Sequence, residues 1–150
     1  MIRKAKIKDV PEIVDLINYY AQKGEMLPRT PVQVYSVLRD FVVIEQEHKV
    51  AGVGALSIIW SDLAEVRSLA IAPDKQGRGL GRRIVETLLD EARSLELPQV
   101  FTLTYKPDFF VKLGFTLADK KDLPHKIWKD CIHCPKFPDC DETALVKRLG

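Results

Sequence analysis

Cysteine is scarce: 150 residues hold three, Cys131, Cys134 and Cys140, all in one late stretch. A chain of this length buries about 70% of its unfolded surface, so it needs no disulfide staples to fold. No apolar run approaches the roughly 18 residues of a membrane-spanning helix. The first residues, Met1-Ile-Arg-Lys-Ala-Lys6, contain no apolar core of a signal peptide. The expected address is therefore cytoplasmic, where disulfides are rare. An excess of one charge is also missing. Lys and Arg number 23 against 21 Asp and Glu, a net +2, too small by itself to imply a nucleic-acid partner. Internal repeats and low-complexity linkers are absent. What is present is ordinary: 46% hydrophobic and 29% charged residues, the balance of one globular domain spanning 1–150.

The periodicities predict alternating strands and helices. Ile2 to Ile7 alternates apolar and basic residues, a short half-buried strand. Asp9 is a good N-cap, and Glu12 three residues on completes a capping-box-like pattern. The helix that follows presents Val10, Ile13, Val14, Ile17 and Tyr20 on one stripe and ends at Gly24. Thr30 and Pro31 open a second helix with Val34, Val37 and Leu38 inward. Phe41–Glu45 and Val50–Trp60 form a hairpin around the polar turn Gln46–Lys49, where His48 reads as a solvated histidine. Gly52 and Gly54 leave one face of the returning strand bare, which suggests close approach by another backbone.

The central strand runs from Glu65 to Ile71. Period two puts Glu65, Arg67, Leu69 and Ile71 on one face, with Val66, Ser68 and Ala70 on the other. Two opposite charges on one face of such a strand either pair at its exposed end or face a cleft. A helix from Leu80 to about Leu95 carries Leu80, Ile84, Leu88, Ala92 and Leu95 inward, and Leu97-Pro98 ends it. Val100–Tyr105 is the next strand, so this unit is a right-handed crossover with parallel strands. Pro107 starts a short helix over Asp108–Leu113, Gly114 ends it, and Phe115 begins another strand. Thr143–Leu149 closes the fold.

Between the central strand and its helix lies Gln76-Gly77-Arg78-Gly79-Leu80-Gly81-Arg82-Arg83. Three glycines in five residues permit a sharp turn and leave the backbone N–H groups uncovered. These groups meet the N-terminus of the coming helix, whose orphan donors and partial positive charge suit a phosphate. Arg78, Arg82 and Arg83 add full charges. The stretch reads as an anion cradle for a pyrophosphate, or as a glycine-rich turn and nothing more. It is not a Walker loop, since no Gly-Lys-Ser/Thr closes it, and its glycine spacing is not the dinucleotide fingerprint.

Gln76-x-x-Gly79-x-Gly81, placed directly after Leu69-Ala-Ile-x-Pro73, resembles the acetyl-CoA-binding motif of the GNAT N-acetyltransferases. Phe109-Phe110-Val-Lys-Leu-Gly114-Phe115 resembles the second motif of that family. The two stand in the right order, one helix and one strand apart, and the resemblance spans nearly the whole chain. It implies an α/β (α+β) GNAT fold, a mixed central sheet of six to seven strands flanked by about four helices. Leu103-Thr104-Tyr105, Pro124-His125-Lys126-x-Trp128-x-Asp130-Cys131 and Cys140-Asp141-Glu142 look most like the short, single-domain N-acetylglutamate synthases. Those enzymes move the acetyl group of acetyl-CoA to the α-amino group of L-glutamate, the entry to arginine biosynthesis. Two-domain members add an amino-acid-kinase-like domain that senses arginine, which a chain of this length is expected to lack.

The resemblance also assigns tasks. An α-ammonium must lose a proton before it attacks, and Glu65 fits the position of the family's strand carboxylate. Backbone N–H groups near Leu69, Ala70 and Ile71 would stabilise the thioester oxygen. Gln76, Gly77, Arg78, Gly79, Leu80, Gly81 and Arg82 would hold the coenzyme. Many members protonate the leaving thiolate with a tyrosine four residues before the second motif's glycine; here that position is Phe110. Two substrate carboxylates call for at least two cations, and Arg29, Arg67, Lys106 and Lys126 are the candidates. The implied partner is a small-molecule amine, with neither nucleic acid nor membrane, and a homodimer is common in this fold. Cys131-x-x-Cys134 with Cys140 has metal-like spacing, with His125 or His133 as a fourth ligand. An oxidisable pair and plain packed thiols are the other readings, and no metal is assigned. The other readings are a different acceptor amine or a protein N-terminus served by the same fold and chemistry, and a CoA-binding module without catalysis.

Overall fold

The computed structural model describes residues 1–123 and 142–150. Seven strands form one mixed sheet: Ile2–Lys4 (β1), Phe41–Gln46 (β2), Lys49–Trp60 (β3), Leu63–Ile71 (β4), Gln99–Thr104 (β5), Thr116–Ala118 (β6) and Thr143–Arg148 (β7). Their order is β1-β2-β3-β4-β5-β7-β6. Four α-helices are described, Val10–Ala21 (α1), Pro31–Ser36 (α2), Leu80–Ser94 (α3) and Pro107–Val111 (α4). This is the expected α/β class. β4 and β5 run parallel, as a crossover through α3 requires. β1–β2, β2–β3, β5–β7 and β6–β7 pair antiparallel. The chain divides into two compact units, Met1–Leu56 with Val66–Asp90, and Ser57–Glu65 with Glu91–Gly150.

In the first unit, the five stripe residues of α1 are all buried. They pack with Val34, Phe41, Val43, Val53, Ala55 and Ala70. α2 starts as its sequence predicts: the Thr30 hydroxyl accepts from Gln33 N–H, and the Gln33 side chain accepts from Thr30 N–H. The start of α1 differs. The Asp9 side chain caps nothing in α1. It takes a two-pronged ion pair from Arg3 at 2.7 and 3.0 Å and a hydrogen bond from Lys6 N–H. Arg3 offered a stronger partner than a helix end, because a planar guanidinium bonds both carboxylate oxygens at once. Glu12 reaches instead to Val50 N–H at 2.8 Å. Strand β1 also stops at Lys4, and Ile7–Asp9 form a short 3₁₀ turn.

The β2–β3 turn places Glu47 and His48 at φ 53° and 64°, the positive pair that a two-residue hairpin of the right twist demands. Gly52 and Gly54 are spared a side chain for a reason other than the expected backbone approach. A Cβ at Gly52 would lie 2.8 Å from Ile71 Cδ1 and 3.0 Å from Ile84 Cδ1. A Cβ at Gly54 would lie 2.5 Å from Ile84 Cγ2 and 3.3 Å from Leu88 Cδ1. Side chains of α3, joined at Gly52 by Ile71 of β4, fill the space the glycines leave, so α3 sits tight on β3.

The second unit packs Ile59, Leu63, Phe101, Leu123 and Ala144 together, with Leu103, Ala118 and Val146 around them. Leu95, expected inward, is exposed, while Leu97 is buried. The helix stops one residue before Leu95, and Glu96 turns to φ 61°. Glu96 N–H then bonds Arg93 C=O at 2.9 Å and Leu97 N–H bonds Ala92 C=O at 3.1 Å. That is a Schellman end, which swings the residue two past the last turn back onto the apolar side. Gly114 ends α4 at φ 92°, as its sequence suggests.

Candidate active site

β4 begins two residues earlier than Glu65, so this carboxylate stands third in a nine-residue strand rather than at its end. It is 4% exposed and lies in parallel register with Phe101 of β5. A carboxylate so placed is costly unless its environment compensates the charge. Arg67 is half-buried. Ser68 follows at φ 57°, a left-handed conformation that non-glycine residues rarely take. It is a local irregularity inside the continuous strand β4. Past it, Leu69 and Ile71 lie toward α3: Leu69 Cδ1 would be 3.5 Å from a Cβ at Gly54, and Ile71 Cδ1 2.8 Å from one at Gly52. Ala70 joins the α1 core. Leu69 and Ile71 thus share one side of β4 as expected, with Ala70 on the other. Strained backbone of this sort concentrates at functional sites.

The glycine-rich stretch forms the turn between β4 and α3. Pro73–Lys75 is a 3₁₀ turn, Gln76 is extended, and α3 starts at Leu80. Gly77 and Gly79 adopt φ 78° and 77°, and a Cβ on either would meet nothing within 4 Å. Conformation, not crowding, demands glycine there. Gly81 is already helical. The first bond of α3 joins Arg83 N–H to Gly79 C=O at 3.2 Å, so the N–H groups of Leu80, Gly81 and Arg82 have no i−4 partner in the helix. Residues 77–79 are exposed, as are Arg82 and Arg83. The arrangement fits an anion: open backbone donors, a helix N-terminus and arginines. Arg82 is partly engaged already, with Nε 2.7 Å from Glu86 Oε1 one turn on. Both partners are largely exposed, so an anionic ligand can compete for this weak pair.

Periodicity places Tyr20 in the α1 core stripe but says nothing of its hydroxyl. Its ring lies in the α1 core, 7% exposed. Its hydroxyl donates to Ile71 C=O at 2.5 Å and accepts from the Gln76 side-chain amide. Thus two of the predicted coenzyme residues, at opposite ends of the β4–loop segment, meet through one phenol. Burial pushes the Tyr20 hydroxyl above its ordinary range, and the Gln76 hydrogen bond works against that rise. The hydroxyl remains a protonated donor at neutral pH.

Two residues back on α1, Asn18 grips the loop that carries Arg29. Its side-chain amide donates to Arg29 C=O and accepts from Arg29 N–H, both at 2.9 Å. Arg29 itself is half-buried. In the second unit, exposed Lys106 precedes α4, its N–H bonded to the Thr104 hydroxyl at 2.9 Å. Phe110 is 4% exposed and packs edge-on to Phe109 and Phe115, with centroids 5.0 and 5.2 Å apart. It is a packing residue without a proton to give. Lys126, His125, His133 and the three cysteines lie outside the described residues.

Known proteins share this fold. A family model described as an acetyltransferase (GNAT) domain matches residues 38–117. An N-acetyltransferase of Chlorobaculum tepidum is 36% identical over 99% of the chain and 96% of its own length. An amino-acid acetyltransferase of Mycobacterium tuberculosis is 42% identical over 77% of the chain and 68% of its own length. Among solved structures, N-acetylglutamate synthase from Neisseria gonorrhoeae, complexed with coenzyme A and N-acetyl-glutamate, superposes with a TM-score of 0.90 at 28% identity. That match covers 100% of this chain and 35% of the Neisseria chain.

Proposed function

Because the chain belongs to the GNAT acetyltransferase family and is an acetyl-CoA-dependent N-acetyltransferase, we propose that its acceptor is the α-amino group of an amino acid, L-glutamate foremost. The product would be N-acetylglutamate and the role the first step of arginine biosynthesis, carried out by residues 1–150 as one acetyltransferase domain. One observation carries the reading: the 42% identity to an amino-acid acetyltransferase over 77% of the chain. The fold shared with a synthase crystallised with N-acetyl-glutamate supports it.

Acetyl-CoA supplies an activated thioester; the chain's own residues do the rest. Residues 76–82 hold the coenzyme through the open N–H groups of the loop and the first turn of α3. Glu65 takes a proton from the α-ammonium, directly or through a water, and so frees the nitrogen lone pair. That nitrogen attacks the thioester carbonyl carbon. The C–N bond forms, and the negative charge gathering on the carbonyl oxygen is met by backbone N–H groups of Leu69–Ile71. The C–S bond then breaks, its electron pair leaves with sulfur, and the nitrogen sheds its second proton to solvent, leaving the neutral amide and the CoA thiolate. Phe110 cannot protonate that thiolate, which departs without an acid at this position. Arg29 and Arg67, with Lys106 and Lys126, supply the positive charge for the acceptor's carboxylates.

The test is Glu65→Gln, which keeps size and hydrogen bonding but not basicity. Loss of a positioned base costs roughly 100- to 10,000-fold in rate, so kcat should fall by that order with both Michaelis constants little changed. A variant within threefold of wild type would remove Glu65 as the base. An unchanged glutamate Michaelis constant in Arg67→Ala would remove Arg67 from the acceptor site.

A further inference from the structure

We infer that Tyr20 is a positioning residue for the coenzyme loop, holding Gln76 to the end of β4 so that the loop's N–H groups are aimed before the coenzyme arrives. The inference rests on the reading of residues 76–82 as the coenzyme site and goes beyond it to a residue on a different element. The loop itself has little to keep it in shape. Gly77 and Gly79 touch nothing at Cβ, and residues 76–79 are all exposed. Glycines at positive φ also retain the most freedom to lose on binding. The downstream end is secured, because Leu80 is buried and Arg83 N–H bonds Gly79 C=O. The upstream end is secured by Gln76, whose side-chain amide donates to the Tyr20 hydroxyl.

Why tyrosine and not another apolar residue follows from the other side of that hydroxyl. It passes its own proton to Ile71 C=O, so the run Gln76 N–H to Tyr20 O–H to Ile71 C=O points one way, with donor and acceptor roles both used. The ring is fixed by the α1 core, which makes the hydroxyl a rigid post rather than a mobile one. A ring of the same shape without oxygen would fill the core and leave the loop untied. Burial keeps the proton on this oxygen well past neutral pH.

The experiment measures CoA dissociation by titration calorimetry for wild type, Tyr20→Phe, Gln76→Ala, the double variant and Gly79→Ala, with acceptor Michaelis constants alongside. Losing one hydrogen bond that pre-orders a site corresponds to about tenfold in affinity. Tyr20→Phe and Gln76→Ala should each weaken CoA by about tenfold and the double variant by no more than either alone, because both cut one link. The acceptor constant should stay within twofold, which a general loss of structure would not allow. If Gly79→Ala weakens CoA while Tyr20→Phe does not, the loop binds coenzyme but Tyr20 does not position it. If neither variant weakens CoA, the loop reading fails and this inference with it. Additive losses in the double variant would also overturn it. Should Tyr20→Phe fold poorly, amide hydrogen exchange of residues 77–80 in coenzyme-free Gln76→Ala decides the matter: faster exchange than in wild type is expected, and unchanged exchange would overturn the pre-ordering.

Discussion

Replacing Gly54 with alanine tests the tight seat of α3 on β3. The added Cβ would stand 2.5 Å from Ile84 Cγ2 and 3.3 Å from Leu88 Cδ1. Carbon contacts relax only near 3.5–4.0 Å, so Ile84 or the helix must give by about 1 Å. Ile84 and Leu88 are both fully buried and have nowhere to go without disturbing their own neighbours. Overpacking of this kind costs about 1–3 kcal/mol. Alanine also narrows the unfolded ensemble, which returns about 0.4–1 kcal/mol, so the clash wins by roughly 1–2 kcal/mol. In a chain of this size each kcal/mol lowers Tm by about 2–4 °C. A calorimetric scan should therefore show a fall of roughly 2–8 °C. Ile84→Ala alone should cost about 2–5 kcal/mol by opening a cavity. Combined with Gly54→Ala it should cost less than the sum, because the new methyl enters the vacated space. A Gly54→Ala protein melting within 1 °C of wild type, or a strictly additive double variant, would refute the packing argument.

Two further outcomes follow from the hydrogen-bond pattern. The Arg3 guanidinium, bonded to both Asp9 oxygens, holds that carboxyl below its usual range, with burial opposing. A carboxyl depressed in the folded state stabilises above its unfolded pKa, about 3.9, and loses that contribution as pH falls through the folded value. Urea unfolding should show stability declining below about pH 4. Asp9→Ala should cost about 1.5–3 kcal/mol at neutral pH, because Arg3 keeps Glu45 as a partner, and flatten the decline; an unaltered acid limb would contradict the pairing. Asn18→Ala frees the Arg29 backbone and should raise the acceptor Michaelis constant about tenfold with that for acetyl-CoA unchanged. Equal changes in both constants would mean that Asn18 serves stability alone.

How much of this was readable beforehand depended on the range of the interaction. The α1 stripe, the Thr30–Pro31 helix start and the parallel crossover are local or periodic, and all stand as expected. The glycine turn was equally legible, because only glycine takes positive φ freely at 77 and 79. Tyr20 was legible only as a core residue: its partners lie 51 and 56 positions away, and no periodicity reports a hydroxyl's direction. Asp9 had the right spacing for a cap but a nearer cation in space. Ser68 carries no signal for the left-handed backbone it adopts. Leu95 lost its inward place to Leu97 because the helix closed on Glu96 rather than on a glycine.

The most direct test of the central claim is CoA release from acetyl-CoA with each of the twenty amino acids in turn, and with spermidine. Saturable turnover with L-glutamate, well above every other acceptor and lost in Glu65→Gln, is the predicted result. Preferred turnover with a different amine would contradict the glutamate assignment while leaving the transfer chemistry in place. No turnover with any of them, despite tight acetyl-CoA binding, would contradict the amino-acid acceptor altogether.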